Sequence, residues 1–239
     1  MADTTAPLFS VDVKDMLEAG CHFGHQAQRW SPKMKPYIYS EKNGVHIFDL
    51  FKTSQKLDEA CQFVYNLAKE GKTMVFVATK RQAQDIVREE AVAAGAPYIV
   101  IRWLGGTLTN WDQIKKSLDK MKKLKKDREE GKLEMYTKKE RVLIDKDISR
   151  LERFFGGVES ITAIPDALFL VDIHKEENAL HEATTKGVPM VAIVDSNCDP
   201  TRVTYPIPAN DDAVRSIKLL VHAVAMAYRE GRMAWQKQK

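Results

Sequence analysis

The 239-residue chain is 44% hydrophobic and 29% charged, which supplies apolar material for a sizeable core and the surface charge of a soluble globular protein. No apolar run approaches the roughly 18 residues of a membrane-spanning helix. Residues 1–10 lack the basic start and apolar stretch of a secretory signal, and acidic Asp3 without arginines argues against an organellar transit peptide, so a cytoplasmic setting is expected.

Taken in chain order, short apolar runs rich in β-branched and aromatic residues predict strands at 45–48, 73–78, 98–101, 167–171 and 190–194. Each is apolar on both faces, as parallel strands covered from two sides must be. Amphipathic stretches of helical period lie at 54–70, 81–94, 176–186 and 211–229. In the last, Val214, Ile217, Leu220, Val221, Val224 and Ala225 mark one buried face. Gly71, Gly95 and Gly187 follow helical stretches, where a left-handed terminal residue is needed. The alternation predicts an α/β body, 1–108 and 156–239, with a largely parallel sheet and helices on both faces.

The interval 109–155 breaks that rhythm. Two helical stretches flank Gly131, with Ile114, Leu118 and Met121 on the first and Ile144, Ile148, Leu151 and Phe155 on the second. Steps of four and three residues give a narrow apolar seam, read as an inserted antiparallel helical hairpin of coiled-coil type. A pair of ordinary surface helices would share the pattern.

Residues 111–155 hold 15 Lys or Arg against 10 Asp or Glu, a balance of +5 that exceeds the +4 of the whole chain. A second basic patch contains Arg29, Lys33 and Lys35, and the C-terminal end carries Arg229, Arg232, Lys237 and Lys239 against Glu230. Local patches on a mildly basic chain point to a shaped contact surface. The three cysteines, Cys21, Cys61 and Cys198, are scattered and odd in number, which makes no disulfide framework and suits a reducing compartment.

Signals for chemistry are weak. The turn after the strand at 73–78 reads Thr79-Lys80-Arg81-Gln82, without the glycines that let backbone amides approach a nucleotide phosphate, and no dinucleotide or P-loop fingerprint occurs. The Gly105-Gly106 pair lies after a strand but matches neither pattern. Cys21-His22-Phe23-Gly24-His25 resembles half of a zinc site whose second half is missing, so no metal is expected. Asp195-Ser196-Asn197-Cys198-Asp199 opens like a calcium loop, but Pro200 and Pro206 stand where glycine and glutamate are required. No nucleophile elbow is present. Asp172 and Asp195 end predicted strands and are read as helix caps rather than catalytic acids.

RNA suits the basic patches better. Arg29, Trp30, Lys33 and Lys35, stiffened by Pro32 and Pro36, mix cations for phosphates with aromatic stacking faces. Arg102, Trp103, Asn110 and Trp111 repeat the mixture, and Lys80 and Arg81 sit at a helix start where amides and side chains could hold phosphate together. His22 and His25 join the candidate RNA-binding set, as does Lys116, one of the cations on the first helix of 109–155. Core packing is the alternative for Trp30, Trp103 and Trp111, and at least one is expected to be buried.

Several segments are familiar together. They are His22-Phe23-Gly24-His25, Trp30 with Pro32-Lys33-Met34-Lys35, Thr79-Lys80-Arg81 and the run from Arg102 to Asn110. Pro165-Asp166-Ala167-Leu168-Phe169, the run from Ile193 to Pro200 and Ile207-Pro208-Ala209-Asn210-Asp211-Asp212-Ala213 complete the set. In this order, over nearly the whole chain, they resemble the bacterial-type ribosomal protein S-two family. The resemblance implies a flavodoxin-like α/β domain with a protruding helical coiled coil, and no enzyme, cofactor or catalytic residue. It implies a structural place in the small ribosomal subunit, against ribosomal RNA between head and body, in support of translation. Neighbouring small-subunit proteins are the expected partners, with the messenger-binding protein S-one recruited in bacteria that possess it. A membrane, a small-molecule substrate and a homo-oligomer are not expected. The chain ends soon after Trp235 without the acidic tail of some relatives, so contacts of such a tail are not expected either. Two rivals remain: a nucleotide-dependent enzyme using the α/β crevice, and an interaction module outside the ribosome that docks a partner on the helices of 109–155.

Overall fold

The computed structural model describes residues 11–238. The chain runs through α1 (Val13–Glu18), β1 (Phe23–Gln26), β2 (Ile38–Lys42), β3 (Val45–Phe48), α2 (Leu50–Lys69), β4 (Met74–Val77), α3 (Gln84–Ala94) and β5 (Tyr98–Ile99). It continues through α4 (Trp111–Glu129), α5 (Lys138–Phe155), β6 (Ala167–Val171), α6 (Glu177–Lys186), β7 (Met190–Val194), β8 (Tyr205–Pro208) and α7 (Val214–Lys237).

Five strands pair in the order β5-β4-β6-β7-β8, every pair parallel. Counted from β4, this is the 2-1-3-4-5 order of one kind of doubly wound sheet. Strands buried on both faces have no polar side, and β4, β6 and β7 have none. Phe76, Phe169 and Ile193 turn to one core with Leu57 and Val64 of α2, Val87 of α3, and Leu220 and Val224 of α7. Val75, Leu168 and Ala192 turn to the other with Ile114 and Leu118 of α4 and Leu180 of α6. Helices therefore flank both faces, and the left-handed glycines end α3 and α6 as expected, Gly95 at φ +65° and Gly187 at φ +67°.

Two expectations need correction. Residues 45–48 do not join the parallel sheet but form the middle strand, β3, of a separate antiparallel sheet ordered β1-β3-β2. Burial along β3 alternates, with His46 and Phe48 inward and Val45 and Ile47 half-buried on the other face, so its apolar look came from residues on both faces, only one of which is fully covered. The turn into it is Asn43-Gly44, both at positive φ, the pairing a two-residue hairpin favours. The fifth parallel strand, β8, was not predicted because Pro206 and Pro208 interrupt it. An edge strand tolerates them: one row of its N–H groups has no ladder partner, and prolines two residues apart share a row.

The seam residues of 109–155 are largely covered. Ile114, Leu118, Met121, Ile148 and Phe155 are buried, and Ile144 and Leu151 half-buried. Gly131, at φ +73°, opens the short 3-10 turn between the helices. Lys120 pairs with Asp147 at 3.7 Å, and Lys125 with Glu152 at 3.0 Å. Ile114, Leu118, Met121 and Phe155 also share a cluster with sheet residues Val75 and Leu168, which anchors both helices on the body.

On the opposite face α7 crosses α2 at Gly231. A Cβ there would overlap the carbonyl oxygen of Tyr65 and lie 2.7 Å from Ala68 Cβ. Replacing a helix-interior glycine by alanine ordinarily gains about 1 kcal/mol, but overlap with backbone forces the helices apart. Gly231→Ala is predicted to lower unfolding stability by about 1–3 kcal/mol in urea titration; a stabilised variant would show that this contact does not set the spacing.

Candidate nucleic-acid interface

Loops that leave the carboxyl ends of parallel strands share one edge of the sheet, and ligands of doubly wound folds bind in the crevice where strand order reverses. Here that point lies between β4 and β6, and side chains of the protein fill it. Lys80, following β4, is buried, with Nζ 2.6 Å from Asp211 Oδ1, 2.6 Å from Asp212 Oδ1 and 3.2 Å from Asp172 Oδ2. Burial opposes its charge, but the aspartates, Asp211 foremost, outweigh burial and hold its pKa above the usual value. Beside it, Glu176 is buried and accepts the Thr79 amide at 2.7 Å. That amide belongs to the turn where a nucleotide fold would offer donors to phosphate, so the crevice is satisfied from within.

His25 of β1 completes the cluster. Its Nδ1 lies 3.1 Å from Asp195 Oδ1 and its Nε2 3.5 Å from Asp212 Oδ2. The hydrogen bond to Asp195 raises its pKa to about 9. Burial, then repulsion from Asp195 and Asp172, pushes the Asp211 carboxyl upward despite Lys80. One ligand atom each from His25, Asp195 and Asp211 lie within 4.8 Å of one another, a spacing that could hold a metal ion. Asp172 does not cap α6 itself, whose N-cap is Glu176, but closes the turn before it, accepting the His174 and Lys175 amides at 3.1 Å. Asp195 does not act as a helix cap: it accepts the Ser196 amide at 2.5 Å and faces His25.

The loop from Arg102 to Asn110 is organised by one residue, Glu182 of α6, which sequence reading missed. Its buried carboxylate accepts Trp103 Nε1 at 3.0 Å, the Gly106 amide at 2.9 Å, the Leu108 amide at 3.0 Å and the Thr109 amide at 3.1 Å. Thr109 Oγ1 adds a fifth donor at 3.0 Å. The only local signal was an acid among Ala179, Leu180 and Ala183, on the helix face that packs inward. Trp103 is thus a core residue, while Arg102 and Asn110 stay exposed on the loop it anchors.

The other predicted residues fall into two groups. Directed inward are Lys80 and His25, as above, and His22, whose Nδ1 is buried without a hydrogen bond and whose pKa is lowered by burial. Trp30 is half-buried, one face stacked on His46 with centroids 4.9 Å apart. Exposed are Arg29, Lys33, Lys35, Arg81, Arg102 and Lys116. Of these only Lys33 has an ion-pair partner among the described residues, Asp199 at 2.6 Å. The 25–33 segment is held to the loop after β7 by bonds from the His25 amide to Ser196 Oγ, 2.8 Å, and from the Ser31 amide to the Ser196 carbonyl, 2.8 Å. Arg29, Arg81 and Arg102 therefore rim the same sheet edge.

The Glu182 arrangement makes a testable claim. Burial works to raise its pKa, but the Trp103 indole and the loop amides prevail and hold it below the ordinary 4.5. Its contribution to stability is thus complete above about pH 4.5 and lost as pH falls through the lower folded value. Glu182→Gln, which must turn an amide donor toward these donors, is predicted to cost about 3 kcal/mol at pH 7. It should also flatten the stability loss of the parent below pH ~4.5 in chemical denaturation. An unchanged acid profile would contradict this role.

The family described as "Ribosomal protein S2" matches residues 16–231. A relative, "Small ribosomal subunit protein uS2" of Coprothermobacter proteolyticus, is 51% identical over 222 residues, covering 93% of this chain and 83% of that protein. The chain belongs to the ribosomal protein S2 family, structural proteins of the small ribosomal subunit and not enzymes.

Proposed function

We propose that the chain binds ribosomal RNA of the small subunit through the exposed rim of the sheet's carboxyl edge, bracing RNA between head and body in support of translation. The observation that carries this reading is a division of charge. The aspartates at the edge are engaged by Lys80 and His25, while Arg29, Lys35, Arg81, Arg102 and Lys116 stand exposed with no ion pair among the described residues. Such cations have lost none of their charge to internal partners and can displace condensed counterions from RNA phosphates. Asn110 and the open face of Trp30 offer polar and stacking contacts to splayed bases.

The body of this reading is 1–108 and 156–239, with 109–155 an inserted basic antiparallel helical hairpin of coiled-coil type. Its support is the covered seam, the ion pair between Lys120 and Asp147, and the capping box in which Thr137 and Glu140 start α5. The hairpin extends the basic surface toward a second RNA helix or a neighbouring small-subunit protein. Recruitment of the messenger-binding protein S-one, and a place in the cytoplasm as a single copy per subunit, rest on the family resemblance. Among the described residues no helix is long and apolar enough to cross a membrane.

The test adds purified protein to small subunits stripped of it and follows co-sedimentation at rising salt. Arg29→Glu, Arg81→Glu and Arg102→Glu are each predicted to weaken association at unchanged thermal stability, and each to reduce the salt slope by about one. Lys80→Glu, by contrast, adds a fifth carboxylate to four and should lower stability first, by about 3–5 kcal/mol. Unaltered association of all three arginine variants would sink the rim as the RNA contact.

A further inference from the structure

We propose that Asn43 modifies itself: attacked by the backbone nitrogen of Gly44, it loses ammonia and becomes isoaspartate, which releases the turn that carries Arg29. Asn43-Gly44 is the one place in the chain where glycine follows asparagine. The pair forms the turn between β2 and β3, with Asn43 at φ 52° and Gly44 at φ +74°. Both are exposed, and a side chain built at Gly44 would meet no atom within 4 Å. Among the described residues neither the Asn43 carboxamide nor the Gly44 amide has a hydrogen-bond partner. Electrophile and nucleophile are thus adjacent, unengaged and open to water.

The chemistry needs only water. Hydroxide removes the Gly44 amide proton, and the nitrogen attacks Asn43 Cγ. The new bond closes a five-membered succinimide ring, and the carboxamide C–N bond breaks as ammonia leaves with a proton from water. Attack within the chain through so short a ring has a large entropic advantage over attack from solvent, and glycine sets no Cβ against the ring. Water then opens the succinimide. Cleavage at the former main-chain carbonyl leaves Gly44 bonded to Cγ, which is isoaspartate; cleavage at Cγ gives aspartate. Either product carries one more negative charge, and nothing is oxidised or reduced. Ring closure requires rotation about the Cα–C bond of Asn43. Resisting it are the last ladder pair, Lys42 with Val45, and the Gly44 carbonyl, which accepts the Ala27 amide at 2.9 Å. Both lie at the exposed end of a small sheet, where local opening is cheapest.

The Ala27 bond carries the effect to Arg29. Ala27–Arg29 is a short 3-10 turn whose flanks are fixed by the His25 and Ser31 amides, bonded to Ser196 Oγ and the Ser196 carbonyl at 2.8 Å. Between these anchors the Ala27 amide ties it to Gly44. Isoaspartate adds a methylene to the main chain of a two-residue turn, which has no slack to absorb it. The Gly44 carbonyl is displaced, the Ala27 amide is freed, and Arg29 of the rim loses its fixed position.

The experiment incubates the folded, full-length protein at mildly alkaline pH and maps its peptides by mass spectrometry, with isoaspartyl O-methyltransferase as the probe. The peptide holding Asn43 is expected to gain one dalton and to accept a methyl group, while those holding the other five asparagines keep their mass. Asn43→Gln, whose longer side chain would have to close a six-membered ring, is expected to lose the product. The modified form, separated by ion exchange on its added negative charge, is expected to exchange the Ala27 amide hydrogen about tenfold faster than the parent. The Phe48 amide, bonded to the His22 carbonyl at 2.8 Å in the same sheet, is the control and should not change. An Asn43 that stays intact in the folded protein, or that yields aspartate alone, would overturn the proposal. So would isoaspartate at that position with exchange at Ala27 unaltered.

Discussion

Four aspartates meet at one edge of the sheet, and Lys80 with His25 are the cations set among them. The groups come from β1 and from the loops after β4, β6, β7 and β8, so one cluster joins the small antiparallel sheet to all but one strand of the large one. Removing one partner of a buried ion pair costs about 3–5 kcal/mol, a large fraction of the net stability of a typical domain. The same cluster decides what the fold is not. Lys80 and Glu176 occupy the crevice where a doubly wound sheet takes its nucleotide, and the Thr79 amide is already bonded.

With Lys80 and His25 engaged from within, the edge leaves its other cations to present a rim. Glu182 does for the Arg102–Asn110 loop what the cluster does for the rest: five donors converge on one carboxylate, the Trp103 ring is drawn into the core, and Arg102 is left outside. Motif residues thus divide between those that build the platform, such as Lys80, His25 and Trp103, and those the platform displays, such as Arg29, Arg81 and Arg102.

That division explains what could be read from the sequence. Four of the five parallel strands and the helices around them were legible because burial on two faces leaves no polar residue in a strand, and a single covered face leaves a 3.6-residue rhythm in a helix. The edge strand β8 was hidden by the prolines that an edge permits, and β3 was misplaced because four residues are too few to reveal alternation. The family's motifs were legible as well. The roles of their residues were not: Lys80 stands beside Arg81 with no acid near it in sequence, and Asp211 lies 131 positions away. Local sequence suggested a phosphate contact where the fold makes an internal ion cluster. Glu182 was invisible for the same reason, its loop partners being 73–79 positions distant.

The central claim is that charge at this edge is spent inward at Lys80 and outward at the rim. Amine labelling of lysines, read by mass spectrometry on the free protein and on the protein within small subunits, tests it most directly. The account predicts that Lys80 is unreactive in both states, while Lys35 and Lys116 react in the free protein and become protected on assembly. A Lys80 that labels readily when free and is protected only in the subunit would contradict it, and would return that residue to the RNA contact surface.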